Sequence, residues 1–320
     1  MDTITEGKAT IYMYKGKISK ELPVFYNPVM QLNRDVSIEV INKSKSKHVA
    51  LPLSGTGIRG IRILKECNVE TLTMNDHSEE AVLLIKDNLK LNKVKADVEN
   101  KDANLFLLES RGFDYIDIDP FGYPGPFLDS AVKRIARNGI LAVTATDTSA
   151  LSGTFPNACR RKYGIKPLKD SNMHENGLRI LIKFCQNFGM MYDKALIPIL
   201  SYSKDHYMRV FFRCEKGKEK CNELLKQQRQ WWEGQLWDKT FLKGIKNEFV
   251  QQLYEESLID VNGFYLIHDI CKKEKLDVPK FDVLMKKIKN KGYKVSRTHF
   301  DLRGLRSDIG YDELVKLIQS

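Results

Sequence analysis

The sequence of 320 residues has no long apolar run and no apolar segment at its start. A helix that spans a bilayer needs about 20 consecutive apolar residues, so the sequence predicts no membrane span. Residues 1–16 mix polar and charged side chains, which is not the pattern of a secretory signal. We therefore expect a cytoplasmic protein that does not use a membrane.

Cysteine is scarce and scattered, with six residues and no CxxC pair. A structural zinc site needs four clustered ligands, so the pattern predicts no metal, and in the cytoplasm these thiols stay reduced. The cysteines are Cys67, Cys159, Cys185, Cys214, Cys221 and Cys271.

Acidic residues are fewer than basic ones, 41 against 52, which gives a formal net charge of +11. An excess of positive charge on this scale suits a polyanionic partner, of which nucleic acid is the commonest. Solubility alone is the alternative explanation of the same charge.

Strand and helix patterns alternate from about residue 48 to residue 147. Strands are predicted at 48–53, 70–76, 97–102, 113–119 and 139–147, with helices at 58–67, after Ser78, and at 126–136. This alternation is typical of a parallel sheet with helices on both faces. Two apolar strands at 196–203 and 206–213 then form a hairpin signal. The expected fold is α/β, and a parallel sheet that ends in an antiparallel hairpin resembles the Rossmann-like sheet of class I methyltransferases, an analogy of fold that does not fix function.

The composition changes near Cys221, where a lysine-rich, helical pattern with three tryptophans begins. We predict two domains on this basis. The first is a catalytic domain over residues 1–215, with an N-terminal arm at 1–47. The second is a smaller, basic α+β domain over residues 216–320.

Small and acidic residues follow the first three predicted strands. Gly55 and Gly57 allow a tight turn and close approach of a ligand, and Asp76 ends the second strand. Asp76 can accept hydrogen bonds from ribose hydroxyls. Asp102 can accept one from an adenine amine, and the backbone N–H of Ala103 can donate one to the adenine. The same features occur in nicotinamide enzymes, but the three strand ends together favour S-adenosylmethionine.

The fourth strand ends in Asp119-Pro120-Phe121. An exocyclic amine on a base is a poor nucleophile, because its lone pair is delocalised into the ring. Hydrogen bonds to a carboxylate and a carbonyl free that lone pair and stabilise the charge that develops. Asp119 is the candidate carboxylate, Pro120 stiffens the turn, and Phe121 suits stacking on a base. Asp117, on the same strand face, is interpreted as structural support.

Upstream of the sheet, Phe25 and Arg34 lie in an aromatic and basic segment. Such residues suit the wall of a base pocket and the carboxylate of the cofactor. A packing arm is the alternative interpretation of this segment.

Near the C-terminus, basic residues crowd one stretch and suit phosphate contacts. A helix with Leu284 and Ile288 on its apolar face, ending at Gly292, is predicted there, followed by a strand at Tyr293–Thr298. The candidate nucleic-acid-binding residues are Lys287, Lys291, Arg297 and Arg303, within a cluster that also includes Lys286, Lys289, Lys294 and Arg306.

Taken in order, these motifs resemble the tRNA guanine-26 N2-dimethyltransferase family. The resemblance covers residues 6–213 and resumes near the C-terminus. The matching segments are EGKA (6–9), FYNPVMQLNRDVS (25–37), SGTGIRGIR (54–62), NDHSEEAV (75–82), DAN (102–104), YIDIDPFGYPGPFLDSAV (115–132), LAVTATDTSALSGT (141–154), CRRKYG (159–164), HENGLRILI (174–182), YMRVFFR (207–213) and KVSRTHFDLRGLRSD (294–308).

The resemblance implies an S-adenosylmethionine-dependent enzyme that acts on tRNA, with a C-terminal tRNA-binding domain. It implies that Asp119 holds the target amine and that Phe25 and Phe121 wall the flipped guanine. It also implies cofactor contacts by Arg34, Arg59, Asp76, Asp102 and Ala103, and a structural role for the helix with His174, Glu175 and Arg179. No obligate protein partner is expected.

The sequence departs from the family pattern in one segment. Many relatives carry a four-cysteine zinc cluster between their domains, whereas residues 214–237 hold only Cys214 and Cys221. Two alternatives to the tRNA enzyme stay open: an amine methyltransferase for ribosomal RNA or another guanosine, and a non-catalytic RNA-binding relative.

Overall fold

The structure is a computed structural model that describes residues 1–14, 16 and 22–319. Residues 15 and 17–21 of the predicted arm, and residue 320, lie outside the described residues. The strands are β1 (Asp2–Glu6), β2 (Ala9–Met13), β3 (His48–Leu51), β4 (Thr71–Asn75), β5 (Asp97–Glu99), β6 (Phe113–Ile118), β7 (Ile135–Ala145), β8 (Lys194–Lys204), β9 (Tyr207–Lys216), β10 (Tyr265–Leu266), β11 (Val295–Arg297) and β12 (Gly304–Ser307).

The helices follow the same order, and a short 3-10 helix at Pro28–Met30 precedes the first. They are α1 (Gln31–Ser44), α2 (Ile58–Glu66), α3 (Glu79–Asn92), α4 (Ala103–Glu109), α5 (Gly125–Arg134), α6 (Thr148–Leu151), α7 (Pro156–Tyr163), α8 (Met173–Met190), α9 (Lys218–Lys226), α10 (Lys239–Leu242), α11 (Glu248–Ser257), α12 (Ile267–Glu274), α13 (Phe281–Asn290) and α14 (Tyr311–Gln319).

A seven-stranded sheet has the order β5-β4-β3-β6-β7-β9-β8. Strands β3 to β7 are parallel to their neighbours within this group. Strands β8 and β9 are adjacent and joined by two residues, so they run in opposite directions. The predicted sheet with its antiparallel hairpin is therefore confirmed.

The strand order reverses between β3 and β6. The chain runs outward from β3 through β4 to β5 and then returns to β6 on the other side of β3. Ligands of such sheets bind at the carboxyl ends of the strands at this reversal. The loop after β3 and the turn after β6 therefore lie where a ligand site is expected.

Strand β7 begins earlier than predicted and shortens the preceding helix, which ends at Arg134 rather than at residue 136. Ile135 pairs with Phe113 and Ile140 pairs with Tyr115, so residues 136–139 bulge out of the ladder. Asn138 in this bulge has φ 63°, a conformation that asparagine tolerates.

The predicted N-terminal arm contains regular structure that the sequence patterns did not indicate. Strands β1 and β2 form an antiparallel hairpin, and α1 carries a buried face that includes Val36, Val40 and Ile41. Asn88 of α3 accepts a hydrogen bond from the backbone N–H of Tyr12 at 2.7 Å. The hairpin is therefore fixed onto the domain through its second strand.

The chain forms two compact units whose residues alternate along the sequence. The first unit consists of Met1–Asp147, Phe184–Ile197 and Arg209–Lys226, and the second of Thr148–Lys183, Pro198–Met208 and Gln227–Ser320. These ranges differ from the contiguous domains predicted with a boundary at residue 215. The division into a catalytic and a tRNA-binding domain concerns function and stays a prediction.

A buried ion network in the second unit explains why residues 148–183 group with the C-terminal segment. Arg306 donates to Glu175 of α8 at 2.6 Å and to Glu256 of α11 at 3.2 Å. Arg179 also donates to Glu175, at 2.7 Å. Burial alone raises the pKa of Glu175, but Arg306 and Arg179 lower it to about 2, so this carboxylate stays charged.

The same network corrects one prediction. The sequence pattern places Arg306 in the basic cluster at the surface, but it is fully buried and its guanidinium also donates to backbone carbonyls of Val261 and Gly263. It therefore cannot contact a phosphate. The predicted structural role of Glu175 and Arg179 agrees with their burial.

The predicted C-terminal helix and strand are confirmed as α13 and β11. Leu284 and Ile288 of α13 pack in a buried cluster with Leu305 and Leu314. In the part of the chain that the structure describes, no helix is both long and apolar enough to cross a membrane, and no group of three or more metal-ligating side chains is found.

Candidate active site

The loop after β3 is joined to the end of β4 by Asp76. The N–H of Gly55 donates to Asp76 Oδ2 at 2.8 Å, and the N–H of Ser78 donates to Oδ1 at 3.1 Å. Gly57, with φ 79°, begins α2 in a conformation that favours glycine. Each carboxylate oxygen of Asp76 still has acceptor capacity, which fits a ribose with its two hydroxyl donors.

Asp102 follows β5 and caps α4. Its Oδ1 accepts the N–H groups of Asn104 at 2.9 Å and Leu105 at 3.2 Å. The side chain is exposed, whereas Ala103 is buried. Asp102 thus has a structural role as a helix cap, and its Oδ2 is available for the predicted contact with an adenine amine.

The turn after β6 is held by two hydrogen bonds from the end of β7. The N–H of Gly122 donates to Thr146 Oγ1 at 2.6 Å, and the N–H of Thr146 donates to the carbonyl of Gly122 at 2.9 Å. Gly122 has φ 83°, which favours glycine at this position. The turn that carries Asp119, Pro120 and Phe121 is therefore fixed at Gly122, directly after Phe121.

The carboxylate of Asp119 forms a salt bridge with Arg59 through Oδ2. Arg59 also donates to Ser37 Oγ at 2.8 Å and lies 3.4 Å from Asp117 Oδ2. Burial lowers the pKa of Arg59, but Asp117 and Asp119 raise it above its usual value, so the guanidinium stays charged. Arg59 therefore bridges the carboxylates of Asp117 and Asp119.

Beneath Asp119, Asp117 lies in a fully buried cluster. Arg209 of β9 donates to both carboxylate oxygens, at 2.8 and 2.7 Å, and the hydroxyl of Tyr115 donates at 2.9 Å. Burial raises the pKa of Asp117, but the charges of Arg209 and Arg59 bring it below its usual value. Asp117 is thus a charged support, in line with the role predicted for it.

Arg34 was predicted to contact the cofactor, and its guanidinium lies in a second ion cluster. It donates to Glu6 at 2.7 and 2.5 Å and to the carbonyl of Asn27 at 3.1 Å. Arg62 also donates to Glu6, at 2.8 Å. The side chain of Arg34 is only 6% exposed, so its observed role is to fix β1 to α1, and cofactor contact stays a prediction.

Phe25 and Phe121, predicted to wall the base, are brought together. Their ring centroids are 4.5 Å apart with an interplanar angle of 83°, and Phe121 is 61% exposed. A base between two parallel rings needs a separation of roughly 7 Å, twice an aromatic contact distance. The two rings must therefore part, or the base must stack on the outer face of one ring.

Arg209, Glu6 and Ser37 belong to the site region but were not predicted. Arg209 is the one charged residue within the apolar run YMRVFF (207–212), and an arginine at such a position must find a buried partner. That pattern could have predicted a buried ion pair at Arg209. Glu6 and Ser37 lie in polar surroundings, where the sequence does not distinguish a buried partner from an exposed side chain.

The predicted nucleic-acid-binding residues lie in the second unit. Lys291 is exposed, and Lys287 is half-buried with its amine 3.4 Å from the carbonyl of Leu317. Arg297 lies 3.4 Å from Asp282, and Arg303 pairs with Asp301 at 2.9 Å. Two of the four charges are thus partly neutralised within the protein.

Comparison with known proteins gives consistent matches over nearly the whole chain. A family model described as N2,N2-dimethylguanosine tRNA methyltransferase matches residues 3–234 and 229–319. A tRNA (guanine(26)-N(2))-dimethyltransferase from Methanosphaera stadtmanae is 38% identical over 94% of this chain and 92% of its own. A tRNA (guanine(26)-N(2)/guanine(27)-N(2))-dimethyltransferase from Aquifex aeolicus is 35% identical over 100% of this chain and 96% of its own.

A solved structure, Trm1 from Pyrococcus horikoshii in complex with S-adenosyl-L-methionine, has a similar fold. It superimposes with a TM-score of 0.91 at 32% sequence identity and covers 99% of this chain and 100% of its own. The similarity therefore extends over both compact units.

Proposed function

The chain belongs to the family of N2,N2-dimethylguanosine tRNA methyltransferases, and we propose how its own residues carry out that reaction. It is an S-adenosylmethionine-dependent enzyme that methylates the exocyclic N2 of guanosine in tRNA. The bound cofactor supplies the methyl group from its sulfonium. The observation that carries the proposal is the carboxylate of Asp119 at the carboxyl end of β6, where the strand order reverses.

Asp119 is proposed to accept a hydrogen bond from the N2 amine. Among the described residues, only Arg59 donates to this carboxylate, and it does so through Oδ2. Oδ1 is then available to the amine. The contact localises the nitrogen lone pair, and the negative charge stabilises the positive charge that develops on the nitrogen. The hydrogen bonds between Gly122 and Thr146 hold Asp119 in place for this role.

Phe121 is proposed to stack on the guanine, with Phe25 as the neighbouring wall. A guanosine inside a folded tRNA must leave its stack to reach the site, and an exposed aromatic ring offers a replacement surface. The high exposure of Phe121 supports this role, because covering an exposed apolar ring with a base removes its surface from water.

The cofactor is proposed to lie across the loop after β3. Asp76 would accept from the ribose hydroxyls, and Asp102 with Ala103 would hold the adenine. Gly55 and Gly57, both with positive φ, would give the loop its tight turn beside the ligand. Arg59 or Arg34 would face the carboxylate of the cofactor. The acceptor capacity left on Asp76 and the exposure of Asp102 support this arrangement.

Replacing Asp76 with alanine should weaken cofactor binding by more than about tenfold, because a charged hydrogen-bond acceptor for ribose is removed. Calorimetry with S-adenosylmethionine measures this directly. Asp87→Ala, an exposed change on α3, is the matched control and should bind as the wild type does. An unchanged dissociation constant for the Asp76 variant would show that this side chain only organises the loop.

Lys287 and Lys291 are proposed to contact tRNA phosphates. Reversing both charges, Lys287→Glu with Lys291→Glu, should raise the KM for tRNA several-fold and flatten its salt dependence, because each phosphate contact contributes to the slope. The affinity for S-adenosylmethionine should not change. If both KM and salt slope kept their wild-type values, the RNA contacts would lie elsewhere.

The function itself is tested by methyl transfer from labelled S-adenosylmethionine to unmodified tRNA transcripts. We expect incorporation into a transcript with guanosine at position 26 and its loss when position 26 is changed to adenosine. A transcript with guanosine at position 27 alone separates the two specificities named for the relatives. Incorporation into ribosomal RNA but not tRNA would favour the alternative substrate.

We also propose that the protein works in the cytoplasm. None of its six cysteines forms a disulfide, which fits a reducing environment.

A further inference from the structure

Residues 148–169 of the second unit carry positive charge without any negative charge. The sequence has no acidic residue between Asp147 and Asp170, and all of its basic residues in this interval are exposed. They are Arg160, Arg161, Lys162, Lys166 and Lys169. The function described above does not use this segment.

Helix α7 presents part of this charge to solvent. Cys159 and Tyr163, one helical turn apart, are buried, whereas Arg160 and Arg161 are exposed. Basic residues in the last turn of a helix are favoured by its dipole, which gives a local reason for the two arginines. Lys166 and Lys169 follow the helix and its C-cap Gly164, so the dipole does not account for them.

Four of these five cations lack an acidic partner in the part of the chain that the structure describes. Among the described residues, no carboxylate pairs with Arg160, Arg161, Lys166 or Lys169. Arg297 and Arg303, in contrast, pair with Asp282 and Asp301. A cation that binds phosphate is expected to have no carboxylate partner within the protein. The four cations of this segment meet that expectation better than Arg297 and Arg303 do.

An aromatic ring accompanies the charges. Phe155, directly before α7, is 61% exposed, and Leu168 is 46% exposed. Exposed aromatic side chains beside basic ones are typical of surfaces that stack on unpaired bases while they bind phosphates.

The segment is held in position from within its own unit. The side chain of Gln230 donates to the carbonyl of Lys166 at 2.8 Å, and the amine of Lys183 donates to the carbonyl of Arg229 at 2.5 Å. The first of these contacts fixes the loop after α7, and the second fixes the segment that carries Gln230. A fixed array of cations loses less entropy when it binds a polyanion.

We propose that Phe155, Arg160, Arg161, Lys166 and Lys169, named here the 155–169 surface, form a second RNA-binding surface of this enzyme. The cations contact tRNA phosphates, and Phe155 stacks on an unpaired base or ribose. The inference rests on the proposed function, since it gives the tRNA substrate a contact surface besides the C-terminal lysines.

The test uses the full chain with Arg160→Glu and Arg161→Glu together. Fluorescence anisotropy with an unmodified tRNA transcript, at several salt concentrations, should show a dissociation constant raised by about tenfold or more. The slope of log K against log salt should shrink by about 2, because about one unit is lost for each phosphate contact. Binding of S-adenosylmethionine, followed by calorimetry, reports that the first unit is folded, and a thermal unfolding curve like that of the wild type reports the same of the second unit.

Lys86→Glu with Lys95→Glu is the matched control, since it reverses two exposed lysines in the first unit and changes the net charge equally. The control should retain the wild-type affinity for tRNA to within about twofold, because neither of its two lysines is expected to contact a phosphate. Phe155→Ala should weaken binding without changing the salt slope, as expected for loss of stacking rather than charge.

The proposal for the 155–169 surface would be overturned by wild-type affinity and salt slope in the Arg160/Arg161 variant, or by equal weakening in the control. Binding of this surface to anionic vesicles with no effect on tRNA binding would also overturn the proposal, in favour of a membrane partner.

The outcome for the proposed function is separate. A wild-type enzyme that methylates tRNA retains that function even if the 155–169 surface proves inert, and one that methylates no tRNA loses both.

Discussion

Asp119→Asn should lower kcat on tRNA by about a hundredfold to a thousandfold, the range found when a preorganised group that stabilises transition-state charge is removed. Asparagine keeps the size of the side chain but removes its negative charge. The positive charge on the N2 nitrogen then develops beside a neutral amide, while Arg59 stays close. Because the loss arises in the transition state, kcat and kcat/KM should fall together.

Two measurements separate this catalytic role from a structural one. Calorimetry should show S-adenosylmethionine affinity within about threefold of the wild type, because the variant removes a contact that matters mainly in the transition state. Asp87→Asn, an exposed aspartate paired with Lys90, should retain full activity. Wild-type kcat in the Asp119 variant would show that the amine is activated by another group.

Arg209→Met should lower the free energy of unfolding by about 3–5 kcal/mol, the cost of leaving a buried charge without its partner. Arg209 and Asp117 are both almost completely buried, and two hydrogen bonds join them. Without Arg209, Asp117 attracts Arg59 more strongly, and Arg59 moves away from Asp119. Turnover should therefore fall as well, by more than the affinity for cofactor. Denaturant unfolding and steady-state kinetics measure the two effects.

A double-mutant cycle provides the control for this pair. Asp117→Asn with Arg209→Met removes both charges, so it should be less destabilised than the sum of the two single variants. Simple additivity would contradict the claim that Arg209 and Asp117 act as one buried pair.

The sequence predicted the parts of the site that depend on local chain geometry. Glycines after β3 and acidic residues after β4, β5 and β6 lie at strand ends, and parallel strands bring those ends to one edge. Asp119 and Gly57 therefore lie at the strand ends where the sequence pattern predicts them. The roles proposed for them still await the experiments above.

Contacts between distant segments were not predictable in the same way. Glu6 meets Arg34 and Arg62, and Arg209 meets Asp117 across 92 positions of the sequence. Local patterns carry no information on which buried acid meets which base. The alternation of the two units along the chain was not predictable for the same reason, since the contact between Glu175 and Arg306 spans 131 positions. The sequence pattern of the C-terminal cluster likewise did not show that Arg306 is buried.

The central claim is that Asp119 presents the N2 amine of a tRNA guanosine for methylation. Mass spectrometry of nucleosides from unmodified tRNA, digested after incubation with enzyme and S-adenosylmethionine, tests it most directly. The wild type should yield N2-methylguanosine and N2,N2-dimethylguanosine, and Asp119→Asn should yield neither in the same time. A product methylated only on a ring nitrogen, or equal yields of N2-methylated guanosine from both proteins, would contradict the claim.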